Sequence, residues 1–284
     1  MSAKQMLWVL AVVAVGMVCW AGSAQAGVLH VNGLYELTGN TSETYDEVYV
    51  GTTTAGTLNI KDSASLTSTD GGETIYIGDQ KLGTVNLSGG TLTAINGETW
   101  VGWWTTGVLN ISGGTANLKK VVIYDGQLNI TAGTLTSTNS DLQIDWDEIS
   151  SLLAISGGAA NLRGIKMGNA KGTLTLTGGA LNLGTGGIYG HASSTINLGG
   201  GTLKLSDGGA IALALDSDKV DYLYIDGVQQ LAGTWGKTGS GADYFNDTYF
   251  TGTGVLTVEL PEPATMVLLG LGGLGVILNR KRSN

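Results

Sequence analysis

Few residues of this chain are of types that do chemistry. The carboxylates Asp141, Asp145, Asp147 and Glu148 fall in one short stretch, and alternation along a strand sets Asp141, Asp145 and Asp147 on one side. Grouped acids of this kind serve as general acid and base in glycan cleavage, or hold calcium. Trp100, Trp103, Trp104 and Trp146 occupy comparable places in the chain's repeats, where sugar rings can stack. These tryptophans, with Asp145 and Asp147, form the candidate glycan contact. A solvated strand edge with aromatic cover accounts for the same residues. Asp216, Asp218 and Asp221 could take calcium, but the glycine and distal glutamate of an EF-hand loop are missing.

Nucleophilic and zinc chemistry are poorly supplied. The two histidines are His30 and His191; His191 lies near Ser193 and Ser194 without a nucleophile elbow around them. The single cysteine, Cys19, lies in an N-terminal apolar run, so zinc lacks ligands and no disulfide framework exists. Gly270, Gly272 and Gly275 spell a literal G-x-G-x-x-G, yet no acidic residue follows Glu262, as a dinucleotide site needs. No cofactor is expected, and the chain is read as a non-enzyme.

The two ends carry addressing signals. Lys4, an uncharged apolar run over 6–20 and the small-residue exit Ala24-Gln25-Ala26 form a secretory signal peptide, with the mature chain starting at Gly27. Both prolines of the protein fall in Pro261-Glu262-Pro263, which stays extended and accessible. An uncharged stretch over 264–278 follows, then Arg280, Lys281 and Arg282. At 1.5 Å per residue that stretch reaches only about 22 Å as a helix, short of a hydrocarbon core of roughly 30 Å. The basic end favours the cytoplasmic side and places the rest of the chain outside.

This ending resembles the PEP-CTERM sorting signal, a Pro-Glu-Pro motif before an apolar helix and a basic tail. The resemblance implies recognition by an exosortase-type membrane protease. It also implies an inner-membrane precursor of a Gram-negative bacterium and a link to exopolysaccharide or biofilm matrix.

Between the ends, 56–216 is repetitive. A ten-residue unit is clear at Gly83 (GTVNLSGGTL), Gly107 (GVLNISGGTA), Ser151 (SLLAISGGAA), Gly172 (GTLTLTGGAL) and Ser194 (STINLGGGTL), and looser at Gly56 and Gly126. The steps between starts are 27, 24, 19, 25, 21 and 22 residues. Within a unit the period is two, so Leu58, Ile60, Val85, Leu87, Leu109, Ile111, Leu128, Ile130, Leu174, Leu176, Ile196 and Leu198 are expected in interior columns. Asn59, Asn86, Asn110, Asn129 and Asn197 are expected in one outward column. Such short strands cannot bury their apolar face alone, whereas stacked coils of about 23 residues can. A β-solenoid of seven or eight coils, roughly 35–40 Å long, is expected; a sandwich or propeller is the competing architecture. The Asn-x-Ser/Thr triplets follow from Asn alternating with Ser or Thr along a strand rather than from glycosylation.

The units also resemble autotransporter-associated β-strand repeats, which implies a right-handed parallel β-helix with a surface role. A distinct segment follows, with a hairpin around Asp226-Gly227. The expected organisation is a signal peptide (1–26), a solenoid (27–216), a C-terminal β cap (217–260) and a sorting and transmembrane anchor segment (261–284). Residues 27–263 hold 10 basic and 23 acidic side chains, a net of −13 that disfavours nucleic acid. The expected role is a structural or adhesive protein of the envelope or exopolysaccharide matrix; the alternative is a glycan-binding or glycan-cleaving β-helix.

Overall fold

The computed structural model describes residues 27–144, 150–168, 172–189, 195–198, 202–205, 211–213, 218–220, 222–226 and 228–258. These residues form strands and turns, with no helix among them. The signal peptide, the apolar tail and Pro261 onward lie outside the described residues.

Most strands join one sheet of 22 strands, wound as a parallel solenoid with three columns of strands. The first column begins with Gly33–Leu37, Gly56–Ile60 and Gly83–Leu87. Each strand pairs in parallel with its counterpart one turn on, Gly33 beside Gly56, Gly83 and Gly107 in succession. Pairing continues through Gly126, Leu152, Thr173 and Thr195, which gives about seven turns. The second column begins at Ser42–Tyr45, Ser65–Ser68 and Thr91. The third begins at Val28–Val31, Glu47–Val50 and Glu73–Ile77. The parallel pairing excludes a sandwich or propeller of antiparallel strands.

Alternation builds the core. Leu58, Ile60, Val85, Leu87, Leu109, Ile111, Leu128, Ile130, Leu174 and Leu176 are fully buried, as period two requires. Ile196 and Leu198 pair in register in the same column. Outward from that column, Asn86 Nδ2 donates to Asn59 Oδ1, Asn110 to Asn86 and Asn129 to Asn110, at 2.9, 2.9 and 3.0 Å. The ladder then stops, because Ala154 and Thr175 occupy the next two registers before Asn197. A second one, absent from the sequence reading, joins Asn182 to Asn161 at 2.6 Å on the middle column.

Glycines set the corners. Gly90, Gly114, Gly133, Gly158 and Gly179, each closing or standing for the second glycine of a unit, have φ between +63° and +74°. A Cβ on Gly90 would lie 2.0 Å from the Ala64 carbonyl oxygen of the coil below, so both the angle and the space demand glycine.

The main sheet continues past residue 216. Tyr222–Ile225 stacks on Thr202–Leu205, and Phe250–Gly252 stacks on Ile211–Leu213. Ile225 pairs antiparallel with Val228, and Asp226 between them has a φ of +47°. A separate sheet of four short strands is ordered Asp218–Val220, Val255–Val258, Gly233–Gly236, Tyr244–Phe245. Its Val220, Trp235, Leu256 and Val258 join the solenoid core, and Trp235 stacks on Tyr244 at 4.7 Å.

Candidate functional site

The third column carries an aromatic ladder on its outward face. Register places His30 beside Tyr49, Tyr49 beside Tyr76 and Tyr76 beside Trp100. The rings of His30 and Tyr49 stack at 5.2 Å, and those of Tyr49 and Tyr76 at 4.6 Å with 8° between planes. Tyr49 donates to Glu47 Oε2 at 2.9 Å and Tyr76 to Glu73 Oε2 at 2.6 Å. Burial, reinforced by these carboxylates, pushes both phenols above their ordinary range, so they stay neutral donors.

Beside this ladder stand three equal corner loops. Gly51, Gly78 and Gly102 leave the third column with φ of +84°, +80° and +84°, and each is followed five residues later by the first glycine of the next strand, Gly56, Gly83 and Gly107. The loops are bonded one to the next: Gln80 and Lys81 donate to the Gly51 carbonyl, and Trp104 and Thr105 to the Gly78 carbonyl. Asn32 Oδ1 accepts from the backbone amides of Thr52, Thr53 and Thr54 and from the Thr52 hydroxyl, which fixes the first loop. At the next turn the chain passes from Ile123 to Gly126 through Tyr124 and Asp125 alone, so the wall of long loops ends there.

Loop and ladder enclose a cleft of about 550 Å³ lined by His30, Tyr49, Thr52, Thr53, Tyr76, Asp79, Gln80 and Trp103. Trp103 closes one end, 6.1 Å from Tyr76 and edge-on to it. Asp79 is 8 % exposed, sheltered under the loops rather than deep in the rod. Desolvation raises its pKa, and His30 opposes that rise. Desolvation also holds His30 below its usual range, against the pull of Asp79 and Glu47.

The structure gathers Trp100, Trp103 and Trp104: Trp100 and Trp103 meet at 4.4 Å, Trp103 and Trp104 at 5.8 Å, and Trp104 is 71 % exposed. Trp100 belongs to the strand, whereas Trp103 and Trp104 belong to the corner loop. Asp145, Trp146 and Asp147 lie outside the described residues. Asp141 is held by Arg163, whose Nε and Nη2 donate to the two carboxylate oxygens at 2.8 and 2.9 Å. That fork occupies the one described acid of the stretch. His191 and Asp216 are outside the described residues, and among those described no three His, Cys, Asp or Glu side chains are placed to hold a metal. Sequence reasoning missed His30, Tyr49, Tyr76 and Asp79. The available signal was the recurrence of an aromatic two residues before Gly51, Gly78 and Gly102.

At the proposed cleavage point, Ala24 and Ala26 are outside the described residues, while the Gly27 carbonyl accepts from Asp46 at 2.8 Å. The fold thus engages the chain from Gly27 onward.

The described residues define a parallel β-solenoid whose last described strand ends at Val258. Immediately after, residues 259–282 match the PEP-CTERM protein-sorting motif, a span that includes Pro261, Glu262, Pro263, Arg280, Lys281 and Arg282. This motif is a substrate signal for exosortase, a membrane protease, and marks an exported protein sorted at a membrane. No curated protein and no solved structure matches the chain.

Proposed function

We propose that this chain is a non-enzymatic structural or adhesive protein of the bacterial envelope or exopolysaccharide and biofilm matrix, delivered there by its C-terminal motif. The observation that carries this reading is the placement of the sorting motif directly after the last described strand, so that removal of the tail takes nothing from the described fold. The finer parts of the proposal are a cleaved signal peptide ending at Ala26 and a helical membrane anchor over 264–278. The repeats are of the autotransporter-associated type with right-handed winding, and the 217–260 segment serves as the cap that closes the open end. Right-handed crossovers are what strand twist favours in parallel sheets. A cap suppresses the edge-to-edge pairing that an open solenoid end invites.

A structural role agrees with the outward faces, where asparagines, threonines and serines bond to their neighbours along the rod. Asp141 is engaged by Arg163 and offers no free carboxylate for cleavage. The glycan-binding alternative is favoured by one observation, the cluster of Trp100, Trp103 and Trp104 beside the cleft.

A pulse-chase of the full chain, with membrane and released fractions followed over time, tests the proposal. Wild type is expected to pass from the membrane fraction to a released form. A chain lacking 264–284 is expected to skip the membrane stage. Neutral replacements of Arg280, Lys281 and Arg282 are expected to weaken retention. Persistent residence of wild type in the inner membrane with an intact tail contradicts the sorting reading.

A further inference from the structure

The cleft beneath the three long corner loops contains a carboxylate that the protein itself leaves unmatched. Asp79 is more than nine-tenths withdrawn from solvent and lines the cavity, yet no hydrogen-bond donor among the described residues reaches its side chain. Its remaining exposure is to the cleft it lines, so a carboxylate with no protein donor takes its hydrogen-bond partners from whatever occupies that space. No Lys or Arg is among the described residues that line the cavity. Glu47 and Glu73 take the phenol hydrogens of Tyr49 and Tyr76, so neither hydroxyl is turned to Asp79. His30 is the one basic side chain among the described lining residues, and desolvation weakens its charge against the pull of Asp79. Tyr49, Tyr76 and Trp103 line the same cavity and give it aromatic surface.

We propose that this cleft binds a small organic cation, an alkylammonium group such as the protonated amine of an amino sugar. Carboxylate and aromatic rings together are the two partners such a cation prefers, one for its charge and hydrogens and the other for its polarised methylenes. A metal ion fits less well, since hard cations take six or more oxygens and only one carboxylate lines the space. A neutral sugar could give Asp79 two hydroxyl donors but leaves the negative field unanswered. A volume of about 550 Å³ accommodates a single substituted six-membered ring with its waters. Gln80, Thr52 and Thr53 offer polar contacts around such a ring. The inference goes beyond the sorting route and does not depend on it.

Ligand-observed NMR or calorimetry on the purified full chain at pH 7 tests it, with choline, glucosamine, N-acetylglucosamine and glucose as probes. Choline and glucosamine are expected to bind. N-acetylglucosamine and glucose, which lack the cationic nitrogen, are expected to bind at least tenfold more weakly. Asp79→Asn should cost glucosamine tenfold or more while the thermal transition does not fall, and Trp103→Ala should weaken choline severalfold through the ring contact alone. Binding should also weaken as pH falls, since Asp79 gains a proton and His30 a charge. Equal binding of glucosamine and N-acetylglucosamine, no binding of any probe, or undiminished binding to Asp79→Asn overturns the proposal.

Discussion

Two outward-facing ladders run along the same rod and differ in how their polar groups are answered. On the first column, Asn59, Asn86, Asn110 and Asn129 each bond to the next, so the face closes on itself. On the third column, His30, Tyr49 and Tyr76 stack ring on ring, but the loops beside them shelter Asp79 without giving it a donor. The first ladder repeats one residue type at one register, and its content is stability. The second repeats only ring shape, and the loop residues Thr52, Asp79 and Trp103 differ from coil to coil. A solenoid can therefore close one face with a self-satisfied ladder while coils with longer corners shelter a different arrangement on another.

The comparison breaks most severely at the glycines that both ladders depend on. Gly102→Ala combines a φ of +84° with a Cβ that would overlap the Asp125 carbonyl oxygen, and about 4 kcal/mol of destabilisation is expected by chemical denaturation. Gly71→Ala is the control: nothing lies within 4 Å of the added Cβ, and its stability should change by less than about 0.5 kcal/mol. Equal losses at both positions would show that corner geometry is not what the glycines supply.

A smaller effect is expected within the asparagine ladder. Asn110→Ala removes one rung and strands the Asn86 acceptor and the Asn129 donor, for a loss of about 1–2 kcal/mol in the same assay. The double change Asn86→Ala with Asn110→Ala should cost less than the sum of the singles, because the shared bond is lost once. Strict additivity would mean that the rungs act alone.

The aromatic side predicts the opposite sign. The folded-state pKa of Asp79 is raised, so its contribution to stability is fully present below the unfolded value near 3.8 and is lost as pH rises through the folded value. Asp79→Asn should accordingly leave the protein equal to wild type or more stable by up to about 1 kcal/mol at pH 7, and the difference should fade on acidification. His30 runs the other way: its lowered pKa gives stability above about pH 6.5 that is lost as pH falls through the folded value. His30→Gln should flatten the decline between pH 7 and 5. A stabilising role for the Asp79 charge, seen as a clear loss in Asp79→Asn, would erase the contrast between the ladders. A small effect is also expected at the exposed pair of Lys61 and Glu36 at 2.6 Å, where Lys61→Ala should change stability by less than about 1 kcal/mol.

The interior of the rod was legible because one rule governs it. Alternation of Leu, Ile and Val with Asn and Thr gave the buried columns of Leu58, Val85 and Leu109, and the repeated start of each unit gave the register. The first full coil was harder to see: Gly33–Leu37 pairs in register with Gly56–Ile60 but lacks the Gly-Gly step that marks later units. The cleft was legible only in part. Trp100, Trp103 and Trp104 stood out by residue type, and steps of 27 and 24 residues against 19 recorded the longer corners. Asp79 resembled any exposed loop acid, since its shelter comes from neighbouring coils separated from it by more than twenty residues. Asp141 looked available until Arg163, 22 residues on, came into register beside it.

The central claim, that a self-sufficient solenoid is carried by a removable address, meets its most direct test in the C-terminal mass of the exported protein. Intact-mass and C-terminal peptide analysis should show a chain that begins at Gly27 and ends near Pro261 to Pro263, with none of the apolar tail. Recovery of the exported protein with residues 264–284 still attached would contradict the account.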